Sequence, residues 1–156
     1  MRKIFKLLVV AALFALGSGA AAFAADPVVG TWILNLEKSK FTPGPAPQSQ
    51  TRTYTQTADG SIALTFTGVA ADGSAVSGQS TFKYDGKDYP ITGSPDYDTL
   101  SLKRVNHSTV KSLQKTGARV VGSTIRTVHG SVMTLVSKGR SVSGARYHNV
   151  AVYDKQ

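Results

Sequence analysis

The histidines are the side chains of this sequence best suited to acid–base work or metal binding. His107, His129 and His148 are the three candidates. No two of them have the i, i+2 spacing that places two ligands on one face of a strand, and the chain has no cysteine. His107 and His129 also stand next to turn residues. The pattern therefore favours structural histidines.

Four aspartates are close enough in sequence to suggest calcium, namely Asp85, Asp88, Asp96 and Asp98. Their spacing lacks the regular Asp-x-Asp-x-Asp-Gly loop, so turn formation explains them better. Serine and threonine are frequent, but the chain has no Gly-x-Ser-x-Gly nucleophile motif. The sequence predicts no metal site, no cofactor and no catalytic residues, and we expect a protein that is not an enzyme.

Arg104 continues the face of a predicted strand that carries Leu100 and Leu102. If that face points inward, the guanidinium lies in or near the core and needs a partner there. Two other placements stay open. The side chain can reach solvent at the strand end, or it can stack on Trp32.

The first 25 residues have the three parts of a secretory signal peptide. Arg2, Lys3 and Lys6 precede an apolar stretch from Ile4 to Leu16, and Ala22-Phe23-Ala24 is a small-x-small cleavage site. The apolar stretch is shorter than the ~20 residues that a spanning helix needs. We expect cleavage, an exported protein that is periplasmic or secreted, and no membrane span in the mature chain.

Residues 26–156 then form a single domain of ordinary size. The full chain has a net charge of +9, and with the three leader cations removed, 15 Lys and Arg oppose nine Asp and Glu, which leaves +6. The positive residues are scattered between Lys38 and Lys155 without a run or an interleaved aromatic motif. The pattern indicates a solvated surface and argues against nucleic acid as a partner. Oligomeric state is left open.

Turn signals divide the mature chain into short strands. Asp59-Gly60, Asp72-Gly73 and Asp85-Gly86 supply the positive φ that tight hairpins need, and apolar residues alternate along Ser61 to Val69. We predict eight to ten strands, with Ala118 to Val128 the longest and no large helix, although a single helical turn before Pro43 stays open. Hairpin-sized connections favour an all-β, closed or nearly closed antiparallel up-and-down barrel, because closure hides the two sheet edges.

Both ends of the mature chain resemble known calycins. Gly30-Thr31-Trp32-x-Leu34 resembles the first strand of lipocalins and fatty-acid-binding proteins, and Val152-Tyr153-Asp154-Lys155 resembles the last strand of the latter. The whole mature chain is also similar to small exported bacterial proteins called lipocalin-like. The resemblance implies a calycin-like barrel in which Trp32 closes one end.

Two features depart from the fatty-acid-binding pattern. The 16 or so residues after the first strand are rich in proline and too few for a two-helix lid. The family's Arg-x-Tyr pair in the last strand matches at Tyr153 but has Ala151 in place of arginine. The resemblance favours the face of the last strand that carries Tyr147 and Tyr153 pointing inward, whereas hydrophobicity favours the opposite face, which carries Val150 and Val152.

Two hypotheses of function follow. The first is an exported lipocalin-like barrel that binds a small apolar or amphipathic molecule, for which a cavity of ~300 Å³ or more is required. The second is a non-catalytic envelope module with a solid barrel core, acting through its surface in a structural or interaction role. The candidate ligand-binding residues for the first hypothesis are Trp32, Leu64, Phe66, Phe82, Tyr84, Leu102, Arg104, Tyr147 and Tyr153.

Overall fold

The computed structural model describes residues 24–156 as ten antiparallel strands without a helix. The predicted signal peptide lies outside the described residues except for its last two positions. The strands are β1 (Gly30–Thr42), β2 (Ser49–Gln56), β3 (Ile62–Val69), β4 (Ala75–Phe82), β5 (Asp85–Pro90), β6 (Thr99–Asn106), β7 (Thr109–Thr116), β8 (Arg119–His129), β9 (Val132–Arg140) and β10 (Arg146–Lys155). Within this part of the chain, no helix is long and apolar enough to cross a membrane.

The strands form one sheet in the order β4-β3-β2-β1-β10-β9-β8-β7-β6-β5. Adjacent strands in this order are consecutive in sequence, with one exception. β1 and β10, the first and last strands, pair with each other. The predicted up-and-down barrel is therefore confirmed. Because strands alternate in direction, the two ends of the barrel differ: one holds Gly30 and the end of β10, and the other holds the loops before β2, β6 and β10.

The sheet closes where β4 meets β5, through a few contacts rather than a full ladder. Ser80 and Ile91 form an isolated bridge, and the amide of Thr92 donates to the carbonyl of Gln79 at 3.0 Å. Gly93 has a φ of +79°, and a Cβ there would lie 2.0 Å from the carbonyl oxygen of Ser77. Glycine thus allows the loop after β5 to approach β4 closely enough to close the barrel.

Alternating side chains of the strands fill the closed end of the interior. Along β3 the inward residues Ile62, Leu64 and Phe66 are buried, as predicted from their alternation. Trp32 is fully buried, and its indole nitrogen donates to the carbonyl of Val28 at 2.7 Å. The inward face of β10 is the tyrosine face, since Tyr153 and Ala151 belong to the core while Val150 and Val152 are only partly buried.

One expectation about the strands is wrong: β1, with 13 residues, exceeds the 11 of β8, which was expected to be the longest strand. β1 continues through Thr42, so the single helical turn that the sequence left open before Pro43 does not form. A bulge absorbs the extra length, because the β1–β10 register shifts between Asn35 and Lys40. The hydroxyl of Ser39 stabilises the bulge by donating to the carbonyl of Asn35 at 2.6 Å and accepting from the amide of Val152.

Candidate ligand-binding site

A cavity of about 550 Å³ lies at the end of the barrel opposite Gly30, and we call it the mouth cavity. Phe41 at the end of β1, the proline-rich segment that follows it, the loop before β6 and the β9–β10 turn form its rim. Gln50, Arg52, Leu135, Ala151 and Tyr153 form part of its wall. The interior of this barrel is therefore not filled by side chains at the mouth.

Arg52 is the charged side chain on the inner face of β2, at the floor of the mouth cavity. Its Nε donates to Oε1 of Gln50 at 2.9 Å, and the hydroxyl of Tyr153 donates to the same oxygen. The guanidinium also lies over the rings of Phe66 and Tyr153, at 5.5 and 5.7 Å from the centroids. Among residues 24–156, no carboxylate forms an ion pair with Arg52.

A second interior guanidinium, that of Arg126 on β8, lies deeper in the barrel. It lines a smaller inner cavity of about 90 Å³, which shares Arg52 and Gln114 with the mouth cavity. Its Nη2 donates to the phenol oxygen of Tyr84 at 2.5 Å. Within the described chain it has no salt bridge to a carboxylate either.

Tyr54 separates the two arginines. The guanidinium of Arg126 lies 5.4 Å from the Tyr54 ring centroid, and Nη1 of Arg52 donates to the Tyr54 hydroxyl at 3.4 Å. Burial raises the pKa of Tyr54, but the charges of Arg52 and Arg126 outweigh burial and leave that pKa below its usual value. Burial lowers the pKa of Arg52, but Tyr153 and Tyr54 outweigh burial, so the pKa is raised and this arginine stays charged.

Gln114 on β7 presents an unused acceptor in the same region. The side chain is 4% exposed, and its amide nitrogen donates to Oγ1 of Thr124 at 2.8 Å. Its Oε1 is buried and has no hydrogen-bond partner among the described residues. Gln114 lines both cavities, and a change of its side-chain rotamer would present this buried oxygen to a bound molecule.

The phenol of Tyr147 lies over two glycines of the neighbouring strands, Gly122 and Gly139. Gly139 is the register partner of both Tyr147 and Gly122. A Cβ on Gly122 would lie 2.7 Å from the hydroxyl oxygen of Tyr147 and 3.1 Å from Oε1 of Gln114. The two glycines therefore make room for this phenol in the wall of the mouth cavity.

The residues predicted to bind a ligand fall into four groups. Tyr147 and Tyr153 line the mouth cavity, and Leu64, Phe82 and Leu102 line the inner cavity. Phe66 is buried beneath Arg52. The remaining three, Trp32, Tyr84 and Arg104, line neither of these two cavities.

Arg104 lies at the end of β6 nearest Asn106, towards the closed end of the barrel. It forms an ion pair with Asp26, and its guanidinium lies 4.3 Å from the centroid of the Tyr84 ring. Trp32 has a different cation over it, since Nζ of Lys155 lies 5.2 Å from the indole centroid. Arg104 thus connects the segment before β1 to the barrel.

Sequence reasoning missed the polar residues that surround the mouth cavity floor, namely Gln50, Arg52, Tyr54, Gln114 and Arg126. One signal was available: Arg52 and Tyr54 are two residues apart, so they share a strand face with Gln50. In the described part of the chain, no three His, Cys, Asp or Glu side chains gather into a metal-binding group.

Comparison with known proteins shows likeness at the level of the fold. No family model and no curated protein matches the chain. Among solved structures, the barrel is similar to the wild-type fluorescent protein UnaG, with a TM-score of 0.54 and 13% identity, over 82% of this chain and 96% of that one. A point mutant of UnaG gives a TM-score of 0.53 and 16% identity, over 83% and 96% of the two chains. The fold is calycin-like.

Proposed function

We propose that the protein binds a small amphipathic molecule with a negatively charged group, in the mouth cavity. One observation carries this proposal: the guanidinium of Arg52 borders a cavity of about 550 Å³ and has no carboxylate partner among residues 24–156. The volume falls within the range of ~300–1,000 Å³ that is usual for small-molecule sites. A solid barrel core, which the alternative hypothesis requires, would leave no such cavity.

The N–H donors of Arg52 that lack an acceptor within residues 24–156 indicate a negatively charged ligand. A guanidinium has five N–H donors, and the described residues accept from two of its nitrogens, through Gln50 and Tyr54. Arg52 is half-buried, and a charge partly removed from water without a counter-ion carries a desolvation cost. A carboxylate, sulfonate or phosphate on the ligand would accept from the remaining donors in the paired geometry that suits arginine.

The walls of the mouth cavity indicate that the rest of the ligand is largely apolar. Phe41, Leu135 and Ala151 offer apolar surface to the mouth cavity, which suits a hydrocarbon or ring portion. The inner cavity of about 90 Å³ is too small for that portion. The unpartnered oxygen of Gln114 adds a second polar requirement, because an N–H or O–H on the ligand would satisfy it.

Three probes with the same chain and different head groups test the proposal: dodecanoate, dodecanol and dodecylammonium, in isothermal titration calorimetry. We expect dodecanoate to bind most tightly. Arg52→Met should remove the preference for the anion, because the paired acceptor geometry is lost. Lys87→Met removes one exposed charge from β5 and should change nothing. Equal affinities for the three probes, or an unchanged anion preference in Arg52→Met, would contradict the proposal.

We also propose that the protein is exported, on the basis of the N-terminal pattern alone. Intact-mass measurement of the protein from its own cells should show a chain that begins near Ala25 or Asp26. A protein that keeps Met1 would overturn this proposal. We further propose binding without catalysis: among the described residues, Asp96 is the one carboxylate that lines the mouth cavity, and it accepts from the backbone amide of Val142 rather than from a serine or tyrosine hydroxyl.

A further inference from the structure

Four arginine and lysine side chains and one histidine line a groove on the outer wall of the barrel, near the mouth. The groove has a volume of about 670 Å³, and we call its cationic lining the basic rim. No Asp or Glu is among the described residues that line it. The members of the basic rim are Arg119, Lys138, Arg140, Arg146 and His148.

The sheet register places these side chains opposite one another. Arg140 on β9 pairs with Arg146 on β10, and Lys138 pairs with His148. Like charges directly opposite each other on neighbouring strands destabilise a sheet. Within the part of the chain that is described, none of the five forms a salt bridge. Arg140 donates only to the carbonyl of Gly144, at 3.0 Å.

Apolar side chains project beside this charge. Val120 follows Arg119 and is 51% exposed, and Val142 in the β9–β10 turn is 80% exposed. The carboxylate nearest to that turn is Asp96, which accepts from the amide of Val142 and lines the mouth cavity rather than the groove. Exposed valines among cations are typical of a surface that lies in the interface of a bilayer.

We propose that the basic rim docks on the surface of an anionic lipid bilayer. Clustered Lys and Arg are attracted to anionic lipid at close range, and the two valines would enter the apolar boundary once docked. A single-stranded nucleic acid fits less well, because sites for single strands present aromatic side chains for stacking. The one aromatic residue that lines the groove, Tyr147, covers Gly122 and Gly139 instead.

The basic rim lies next to the mouth cavity. Thr42, Arg146 and Tyr147 line both the groove and the mouth cavity, so a docked protein would hold its mouth next to the lipid. An amphipathic molecule could then move between bilayer and barrel with little exposure to water. The docking itself does not depend on the proposed ligand.

Vesicle co-sedimentation tests the docking with the full mature domain. We expect binding to vesicles of phosphatidylcholine mixed with phosphatidylglycerol, weak binding to phosphatidylcholine alone, and loss of binding as NaCl is raised. Arg119→Glu with Arg140→Glu should lower the partition coefficient by more than about tenfold. Lys103→Glu with Lys111→Glu is the matched control, because it makes the same change in net charge at two cations that lie on neighbouring strands but outside the groove.

A second pair of variants tests the apolar part, and circular dichroism checks that all variants fold. Val120→Ser with Val142→Ser should weaken vesicle binding without changing net charge. Equal binding to both vesicle types, equal loss in the lysine control, or tighter binding to duplex DNA than to anionic vesicles would overturn the proposal. Dodecanoate titration of the Arg119, Arg140 variant separates the two proposals, since neither residue lines the mouth cavity.

Discussion

Arg126 on β8 and Tyr84, between β4 and β5, are joined inside the barrel by a hydrogen bond of 2.5 Å from Nη2 to the phenol oxygen. The guanidinium also lies 5.4 Å from the centroid of the Tyr84 ring. β6 and β7 separate β8 from β5 in the sheet order, so this contact spans part of the interior. It gives a buried arginine its only side-chain acceptor among residues 24–156.

Removing that acceptor should destabilise the protein. Tyr84→Phe leaves the guanidinium of Arg126 without its phenol oxygen, at an expected cost of about 1–3 kcal/mol in the free energy of unfolding. Urea unfolding followed by circular dichroism measures this. Arg126→Met in the Tyr84→Phe background should recover much of the loss, because an apolar side chain needs no acceptor. If the double variant is less stable than Tyr84→Phe, the hydrogen bond is not the cause.

Tyr54 should ionise at lower pH than the other buried tyrosines. Its pKa is lowered by Arg52 and Arg126, which outweigh the opposing effect of burial, whereas burial raises the pKa values of Tyr147 and Tyr153. Phenolate absorbance during a pH titration should show an early phase that Tyr54→Phe removes. Tyr147→Phe, as the control, should remove a late phase.

The sign of the stability effect follows from the same shift. The folded pKa of Tyr54 lies below its unfolded value of about 10. Ionised Tyr54 therefore contributes stability that is present above the unfolded pKa and is lost as pH falls through the folded pKa. Arg52→Met should move the early phase to higher pH, and an unmoved phase would show that Arg52 does not act on Tyr54.

Gln114→Leu should stabilise the empty barrel. The variant removes a buried oxygen that has no donor among the described residues, a defect that costs about 1–3 kcal/mol. The gain is reduced by the lost hydrogen bond to Thr124. Thermal unfolding measures the change. In calorimetry the same variant should lose any preference for hydroxylated dodecanoates over dodecanoate.

The barrel could be predicted because its signals are local. Asp59-Gly60 and Asp72-Gly73 mark tight turns, and the alternation of Ile62, Leu64 and Phe66 sets which face of β3 is buried. The long β1 could not be predicted in this way. Its bulge depends on Ser39 contacting Val152 of β10, a residue more than a hundred positions away.

The floor of the mouth cavity could not be predicted for a related reason. A charged residue in a strand usually indicates the solvent face, so the residue type of Arg52 alone does not indicate that it points inward. Its inward direction depends on acceptors from Gln50 and Tyr54 and on rings from other strands. Arg104 shows the converse. It continues an inward face, as its spacing indicated, yet it lies at the closed end and pairs with Asp26.

Trp32→Ala tests whether the indole seals the closed end of the barrel. The side chain is 0% exposed, and its ring nitrogen is satisfied by the carbonyl of Val28. Removing it leaves a cavity that the surrounding strands can only partly fill, so we expect a loss of about 3–5 kcal/mol. That is a large share of the ~5–15 kcal/mol that stabilises a domain. Chemical unfolding followed by circular dichroism measures the loss.

Leu36→Ala is the matched control for this prediction, because Leu36 is an apolar residue of the same strand that is 43% exposed on the bulge. The free energy of unfolding should fall much less in Leu36→Ala than in Trp32→Ala, since less of the Leu36 side chain is buried. If the two variants unfold at similar denaturant concentrations, the indole is not closing the barrel. The resemblance of the first strand to the calycins would then lack a physical explanation, although the order of the strands would be unaffected.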